Sequence, residues 1–354
     1  MNEPLAPLLV RYGRMGDMVL QEPLLRLLHR RYGKPCTLLS FGLWSESLYR
    51  ACPDVGTLWQ LRLRDAPYLL SPQRWALVSA LRRHVGPVYI SEDIPDNTRR
   101  IRRLLDKATL PQERCLYIGD FDGSAHSHWV DRLLAFGAQT PRAWPAAAYP
   151  LPAIDALGPA PRLVLTDADL RDVSAWLAVR RLDRKRVVLL QPGNKRTSRR
   201  IASRQREDGK TWPIDRWAAL VRAILTEADD FRVVLCGSAH EHALLEHIRD
   251  HAAMGGVTIA TRDLPVRTLM ALAACAHSMV SVDTGPAHVA AAVGCPLVVL
   301  YGAESTQLWD RRSPCAAPVV NLGGPPRVAV SEIAFEEVVA AWRGLAREPR
   351  RSGQ

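Results

Sequence analysis

From Pro7 onward the chain alternates short apolar runs with amphipathic stretches. Pro7–Tyr12 reads as a short strand, followed by a glycine-containing loop and a helix with Leu20, Leu24, Leu27 and Leu28 on one face. Cys36–Ser40, Pro87–Ser91 and Cys115–Ile118 repeat the pattern of a brief apolar run followed by polar or helical sequence. Near-continuous apolar strands are buried on both faces, as in a parallel sheet covered by helices.

Residues 141–162 interrupt this rhythm with six prolines (Pro141, Pro145, Pro150, Pro152, Pro159, Pro161) and read as irregular connection near a domain boundary. The alternation then restarts. Arg186–Gln191 reads as a strand, and Pro213 opens a helix through Trp217, Leu220 and Ile224. Strand Phe231–Cys236 precedes a helix through Leu244, Leu245 and Ile248, and strand Val257–Ala260 precedes one through Leu269, Leu272 and Ala273. Met279–Val282 leads into the helix Pro286–Val293, and Leu297–Tyr301 closes the run. Five strands and four helices in strict alternation predict a Rossmann-like unit with right-handed crossovers. The expected class is α/β, with domains at 1–182 and 183–330 and a helix with a basic tail over 331–354.

A length of 354 residues fits two domains, and 47% hydrophobic with 23% charged residues excludes disorder, collagen and coiled coil. The net charge of +11 invites a nucleic-acid reading. The excess, however, is confined to residues 96–107, 195–210 and 343–351, and no recognition-helix motif or RNA-binding aromatic signature accompanies it. Nucleic acid is therefore not an expected partner. The apolar run Leu5–Val10 is too short for a signal-peptide core and lacks a basic region before it. Thr284–Ala303 carries no formal charge, but Gly294 and Pro296 break its centre, so a buried helix–turn–strand is expected rather than a membrane span. The seven cysteines are scattered and form no Cys-x-x-Cys, as in a reduced cytoplasmic protein.

Candidate chemistry gathers at the strand ends, where doubly wound sheets bind ligands. Asp283-Thr284-Gly285-Pro286-Ala287-His288 combines an N-cap type, a glycine permitting close backbone approach and a first-turn proline. Such a helix start offers N–H groups and a positive dipole end to an anion, and His288, one turn in, can add a donor. A well-capped core helix is the competing reading. Pro192-Gly193-Asn194, Gly237-Ser238-Ala239-His240-Glu241 and Gly302-Ala303-Glu304 end three other strands of the same half. Glycine at each end favours a nucleotide or pyrophosphate site, although neither GxGxxG nor GxxxxGK[ST] is present. In the first half, Asp17 in Arg11-Tyr12-Gly13-Arg14-Met15-Gly16-Asp17 either caps the first helix or serves as general base towards a hydroxyl.

Three stretches together resemble the glycosyltransferase family 9 heptosyltransferases: Arg11…Gly16-Asp17 with Pro23-Leu24; Pro192-Gly193…Lys210-Thr211-Trp212-Pro213; and Asp283-Thr284-Gly285-Pro286-Ala287-His288-Val289-Ala290-Ala291-Ala292. The resemblance implies a GT-B architecture, two Rossmann-like domains facing across a cleft, with the acceptor domain first and the nucleotide-sugar domain second. It implies an inverting, metal-independent glycosyltransferase that moves heptose from ADP-heptose to an acceptor hydroxyl in lipopolysaccharide core biosynthesis. The family's base falls on Asp17, and its donor-site residues fall on Asp283, Thr284, Gly285 and His288, with Gly193, Gly237 and Glu241 on the same rim. Its phosphate-binding lysine falls on Lys210, with Lys195 as competitor, because the segment between Pro192-Gly193 and Trp212 is longer and more basic than usual. No cofactor or metal is implied beyond the nucleotide-sugar substrate. An anionic glycolipid or other glycan is the implied acceptor, with the basic loop 195–210 available for its phosphates or for peripheral contact with the inner membrane face. The C-terminal helix is expected to pack back on the first domain. A relative with another donor or acceptor, and a non-catalytic nucleotide- or nucleic-acid-binding protein, remain as alternatives.

Weaker signals are read conservatively. His247 and His251 stand i, i+4 but lack a third ligand, so a solvated helix face is expected. Asp120-Phe121-Asp122 and Asp167-Ala168-Asp169 match the spacing of a metal-binding Asp-x-Asp, the second at a helix start. Trp212 and Trp217 are expected to pack the start of their helix, and Trp309 lies near the donor rim.

Overall fold

The computed structural model describes residues 3–42, 44–62, 71–153, 157–194 and 209–345. The chain divides into two compact units, Met1–Val164 and Leu165–Gln354.

In the first unit, strands β1 (Leu8–Arg11), β2 (Cys36–Phe41), β3 (Val55–Leu61), β4 (Val88–Ile90) and β5 (Cys115–Tyr117) form a sheet ordered β3-β2-β1-β4-β5. All pairings are parallel; Leu8 lies opposite both Thr37 and Val88. The central strands are the continuous apolar runs of the sequence. β3 was not evident there, because at the sheet edge its side chains are mostly half-buried or exposed. The first predicted helix is two, Met15–Val19 and Glu22–Tyr32, with Pro23 in the opening turn of the second. Proline has no N–H to continue the helix before it, and its fixed φ suits a first turn. Leu24, Leu27 and Leu28 are fully buried.

The proline-rich stretch is strapped to the first unit by arginines from the helix Glu22–Tyr32. Arg31 donates to the carbonyls of Gly137 (2.8 Å), Gln139 (2.8 Å) and Tyr149 (3.1 Å). Arg26 donates to the carbonyls of Gly158 and Ala160, both at 3.1 Å. Glu22 completes the strap by accepting the Arg162 N–H at 2.8 Å and pairing with Arg26 at 3.4 Å. Burial pushes the Glu22 carboxyl up to about 7 from its ordinary 4.5, against the pull of Arg26. Between those values the folded chain binds more protons than the unfolded one. The stability that Glu22 contributes is complete below pH 4.5 and lost as pH rises through 7, amounting to about 3 kcal/mol. Urea unfolding should therefore show wild type losing about 3 kcal/mol relative to Glu22→Gln between pH 4.5 and pH 8. Parallel pH profiles for the two proteins would contradict this.

The second unit holds six strands, β6 (Arg186–Gln191), β7 (Phe231–Cys236), β8 (Val257–Ala260), β9 (Ser278–Val282), β10 (Leu297–Tyr301) and β11 (Val319–Gly323), ordered β11-β10-β9-β6-β7-β8. All are parallel. This is the doubly wound order, with its reversal between β6 and β9. The expectation of five strands missed β11, an edge strand half-buried along its length.

Two boundaries differ from expectation. The helix Asp167–Val179 was assigned to the first domain, but Val173 and Trp176 lie in the second core, and Asp169 pairs with Arg267 (Arg267 Nε to Oδ1, 2.9 Å). The division therefore falls after Val164 rather than after 182. The C-terminal helix Phe335–Arg343, expected to return to the first domain, instead buries Val338, Val339 and Trp342 in the second unit's own core. Trp342 Nε1 donates to Ser278 Oγ at 3.0 Å, fixing it there. The basic tail 346–354 lies outside the described residues, and among those described no helix is long and apolar enough to cross a membrane.

Candidate functional site

In the first unit β1 and β4 are neighbours, so the residues following them meet at the sheet's switch point. Arg11, ending β1, is buried and organises this corner. Its Nη1 donates to the Ser91 carbonyl (2.5 Å) and to Asp93 Oδ1 (2.7 Å), and its Nη2 lies 3.5 Å from Asp17 Oδ1. Burial opposes the Arg11 charge, but Glu92, Asp17 and Asp93 outweigh it and hold the guanidinium's pKa above its ordinary value. Glu92, also buried, accepts the N–H of Tyr12 (2.9 Å) and Ile94 (3.1 Å), tying the two loops together.

Asp17 takes the capping role foreseen for it. As the third residue of its helix it accepts the Arg14 N–H on Oδ2 at 2.8 Å, which is a capping bond. Its carboxylate nonetheless keeps a solvent-accessible face at the carboxyl edge of the sheet (side chain 27% exposed). A carboxylate fixed on one oxygen and flanked by a cation on the other is well oriented to take a proton.

In the second unit β6 and β9 pair through Gln191 and Ser281, which sets Pro192–Asn194 beside Asp283–Gly285 at the switch point. The helix Gly285–Ala292 starts there. Thr284 stands at its N-cap with extended backbone, yet the hydroxyl makes no cap bond; it lies 3.2 Å from Ser281 Oγ. The expected cap is thus diverted by Ser281, the last residue but one of β9. Gly285 is half-buried, and His288 is buried one turn in.

Lys210 reaches the same place. Gly302, after β10, packs so closely on the Gly209 carbonyl that any side chain there would overlap it. Asn194 Nδ2 donates to the Lys210 carbonyl at 3.1 Å, joining the β6 loop to the lysine. Lys210 Nζ lies 2.6 Å from Glu304 Oε1 and 3.9 Å from Asp283 Oδ2. Gly193 and Glu241 are likewise adjacent: a methyl at Gly193 would overlap the Glu241 carboxylate. Glu241 is held by the N–H and hydroxyl of Ser238, at 2.7 and 2.9 Å, and Gly237 lies directly beneath it. Beside these loops a cavity of about 580 Å³ is lined by Pro192, Gly209, Thr211, Trp212, Leu244 and Val328 among others. Lys195 and most of the basic segment, 195–208, lie outside the described residues.

Sequence reasoning missed Arg311. Its side chain is fully buried, and Nη2 donates to Asp283 Oδ1 at 2.5 Å. Nη1 donates to the Trp309 carbonyl (2.8 Å) and to the Tyr301 hydroxyl. Burial alone would lower the Arg311 pKa, but Tyr301 and Asp283 more than compensate, and burial pushes Tyr301 up to about 12. The result is a polar chain, Tyr301–Arg311–Asp283–Lys210–Glu304, running from core to rim.

The weaker signals resolve as structure. Asp120 pairs with Arg102 at 3.2 Å, and Asp122 caps its own loop through the Ser124 N–H at 3.0 Å. Asp169 caps its helix through Thr166 and binds Arg267. His251 Nδ1 meets the His247 carbonyl at 2.8 Å on an exposed helix face. Among the described residues no group of three or more potential metal-ligating side chains occurs. Trp212 and Trp217 pack edge to face, centroids 5.1 Å apart, at their helix start.

Residues 173–328 match the model of glycosyltransferase family 9 (heptosyltransferase). No curated protein sequence matches the chain. Among solved structures, Escherichia coli ADP-heptose lps heptosyltransferase II is similar at 20% identity and TM-score 0.72, over 96% of this chain and 98% of that one. A glycosyl transferase family 9 protein from Veillonella parvula DSM 2008 reaches TM-score 0.74 at 14% identity, covering 96% and 97%. E. coli heptosyltransferase WaaC with ADP reaches 0.69 at 17%, covering 97% and 100%. At these identities the likeness is one of fold, and that fold is the GT-B type: two units, each a parallel sheet covered by helices.

Proposed function

We propose that this chain, whose residues 173–328 match the glycosyltransferase family 9 model, is a glycosyltransferase that transfers heptose from ADP-heptose to an acceptor hydroxyl, with inversion and without a metal, in lipopolysaccharide core assembly. The observation that carries the donor assignment is the gathering of Lys210, Asp283 and Thr284 at the start of the helix Gly285–Ala292, beside the switch point of the second sheet. The similarly folded WaaC has been solved with ADP and with ADP-2-deoxy-2-fluoro heptose, which supports ADP-heptose as the donor class.

Transfer is a single in-line displacement. The acceptor oxygen forms its bond to the anomeric carbon as the bond to the diphosphate oxygen breaks. Asp17 takes the hydroxyl proton, and ADP leaves with the electron pair. Negative charge developing on ADP is met by Lys210 and by the first-turn N–H groups from Gly285 onward, with His288 one turn further in. Gly193 and Gly237 leave room for the Glu241 carboxylate against the backbone of the donor-side loops, where it serves as an acceptor. Asp120, Asp122 and Asp169 of the two Asp-x-Asp pairs are engaged elsewhere, as helix and loop caps and ion pairs, which supports a mechanism in which side chains and backbone carry the diphosphate charge. We assign the acceptor as an anionic glycolipid or other glycan, the basic segment 195–210 as its phosphate contact, and the location as cytoplasmic with peripheral contact at the inner membrane face.

Calorimetry with ADP, UDP and GDP tests the donor. ADP should bind at least about tenfold more tightly than the others, and Lys210→Met should weaken it by about tenfold to a hundredfold, the range of one charge-assisted hydrogen bond. Equal weak binding of all three nucleotides rejects the ADP assignment. Mass spectrometry of products from ADP-heptose and a core oligosaccharide tests transfer itself.

A further inference from the structure

Four charged groups meet at the ends of β9 and β10: Arg311 and Lys210 as cations, Asp283 and Glu304 as anions. Their charges cancel, so the cluster as it stands offers a diphosphate no net attraction. The two carboxylates differ in freedom. Asp283 is pinned by Arg311, whose side chain is fully buried and held in turn by Tyr301 and the Trp309 carbonyl. Glu304 stands in the loop between Gly302 and the short helix Thr306–Trp309, with 41% of its side chain exposed, and among the described residues it is the anion nearest Lys210. A half-exposed carboxylate–lysine pair is weak and screened by salt. Lysine also carries its charge on a flexible stem that can change partner.

Resting on the assignment of Lys210 to the donor phosphates, we propose that Glu304 occupies the place of a phosphate against Lys210 in the nucleotide-free protein and is exchanged for the donor's diphosphate. Glu304 is then a positioning residue with a cost: it keeps the ammonium at the rim, and by competing for it weakens the hold on nucleotide. When ADP has been formed, the return of Glu304 to Lys210 favours its departure.

The test is calorimetry with ADP and, separately, adenosine on wild type, Glu304→Gln, Lys210→Met and the double variant, with thermal unfolding as a check on the fold. Glu304→Gln should tighten ADP by about threefold to tenfold, within reach of one removed like-charge neighbour in a solvent-accessible site, and leave adenosine unchanged. ADP should inhibit turnover of this variant at a correspondingly lower concentration. In the Lys210→Met background the same substitution should change ADP affinity by less than about twofold, because the competition has lost its object. Unchanged or weaker ADP binding by Glu304→Gln overturns the exchange, as does a tightening that adenosine shares. Those results leave the donor assignment standing if Lys210→Met still weakens ADP. An unchanged ADP affinity in Lys210→Met instead removes the assignment on which the exchange rests.

Discussion

Asp17→Asn should lower kcat by about a thousandfold or more while leaving the ADP dissociation constant within about twofold of wild type. Proton transfer by a placed side chain contributes roughly 10²–10⁴ in rate, and an inverting displacement with a single base has no second group to share the task. A thousandfold loss corresponds to about 4 kcal/mol of transition-state stabilisation. Asparagine is the informative replacement because its carbonyl oxygen can still accept the Arg14 N–H, as Asp17 Oδ2 does at 2.8 Å. Arg11 loses one anion but keeps Asp93 and the Ser91 carbonyl, so the corner should remain folded. Asp17 belongs to the first unit and the proposed nucleotide residues Lys210, Asp283 and Thr284 to the second, which is why rate and nucleotide affinity should separate. Turnover within tenfold of wild type would remove Asp17 as the base. A parallel loss of ADP binding would show that the substitution acts through structure.

How much of this was legible beforehand depended on how local the determining interactions are. β1, β2, β6, β7, β9 and β10 could be read as uninterrupted apolar runs because both sheet faces are covered. β3 and β11 lie at sheet edges, where half-exposed side chains break the run, and they escaped notice. The Asp283-Thr284-Gly285-Pro286 helix start was legible because helix-opening residues sit next to one another in sequence. Its expected cap was not realised, since Ser281 lies three residues earlier on the strand and takes the threonine hydroxyl. Arg311 left no signal at all, and Glu304 was visible only as part of the Gly302-Ala303-Glu304 strand end, not as a partner of Lys210. Arg311 reaches Asp283 across 28 residues of sequence, and Lys210 meets Glu304 only because Gly302 allows the β10 loop to close on the Gly209 carbonyl. The domain limit was misjudged for a similar reason. Proline content marks an irregular segment, but which unit holds it is decided by Arg26, Arg31 and Glu22, more than a hundred residues away. The net charge also changed in meaning: the helix Pro95–Lys107 presents its basic residues beside acidic partners such as Asp96 and Asp120.

Arg311→Met should destabilise the second unit by about 3–5 kcal/mol and abolish measurable ADP binding. The side chain it replaces is fully buried and holds three groups together: Asp283 Oδ1, the Tyr301 hydroxyl and the Trp309 carbonyl. Methionine approximates its volume, so packing loss is small and the cost is mainly electrostatic. Asp283, with 20% of its side chain exposed, would be left as a largely desolvated carboxylate facing an apolar thioether. Removing one partner of a buried pair costs more than the pair contributes, because the survivor is left poorly compensated; here, among the described residues, Asp283 would retain only Lys210, 3.9 Å away, as counter-ion. A double variant separates this from simple loss of contacts. Neutralising the stranded group in Asp283→Asn/Arg311→Met should recover about 1–2 kcal/mol of stability relative to Arg311→Met alone, a coupling typical of groups in direct contact. It should not recover ADP binding, since the amide cannot restore the charge pattern around Lys210. Urea unfolding of the full chain, followed by the fluorescence of Trp212, Trp217 and Trp342 in the second core, reads the first effect, and calorimetry reads the second. A loss below about 1 kcal/mol, or additive effects of the two substitutions, would mean that Arg311 is a surface-like charge that happens to be buried and not the post to which Asp283 is fixed.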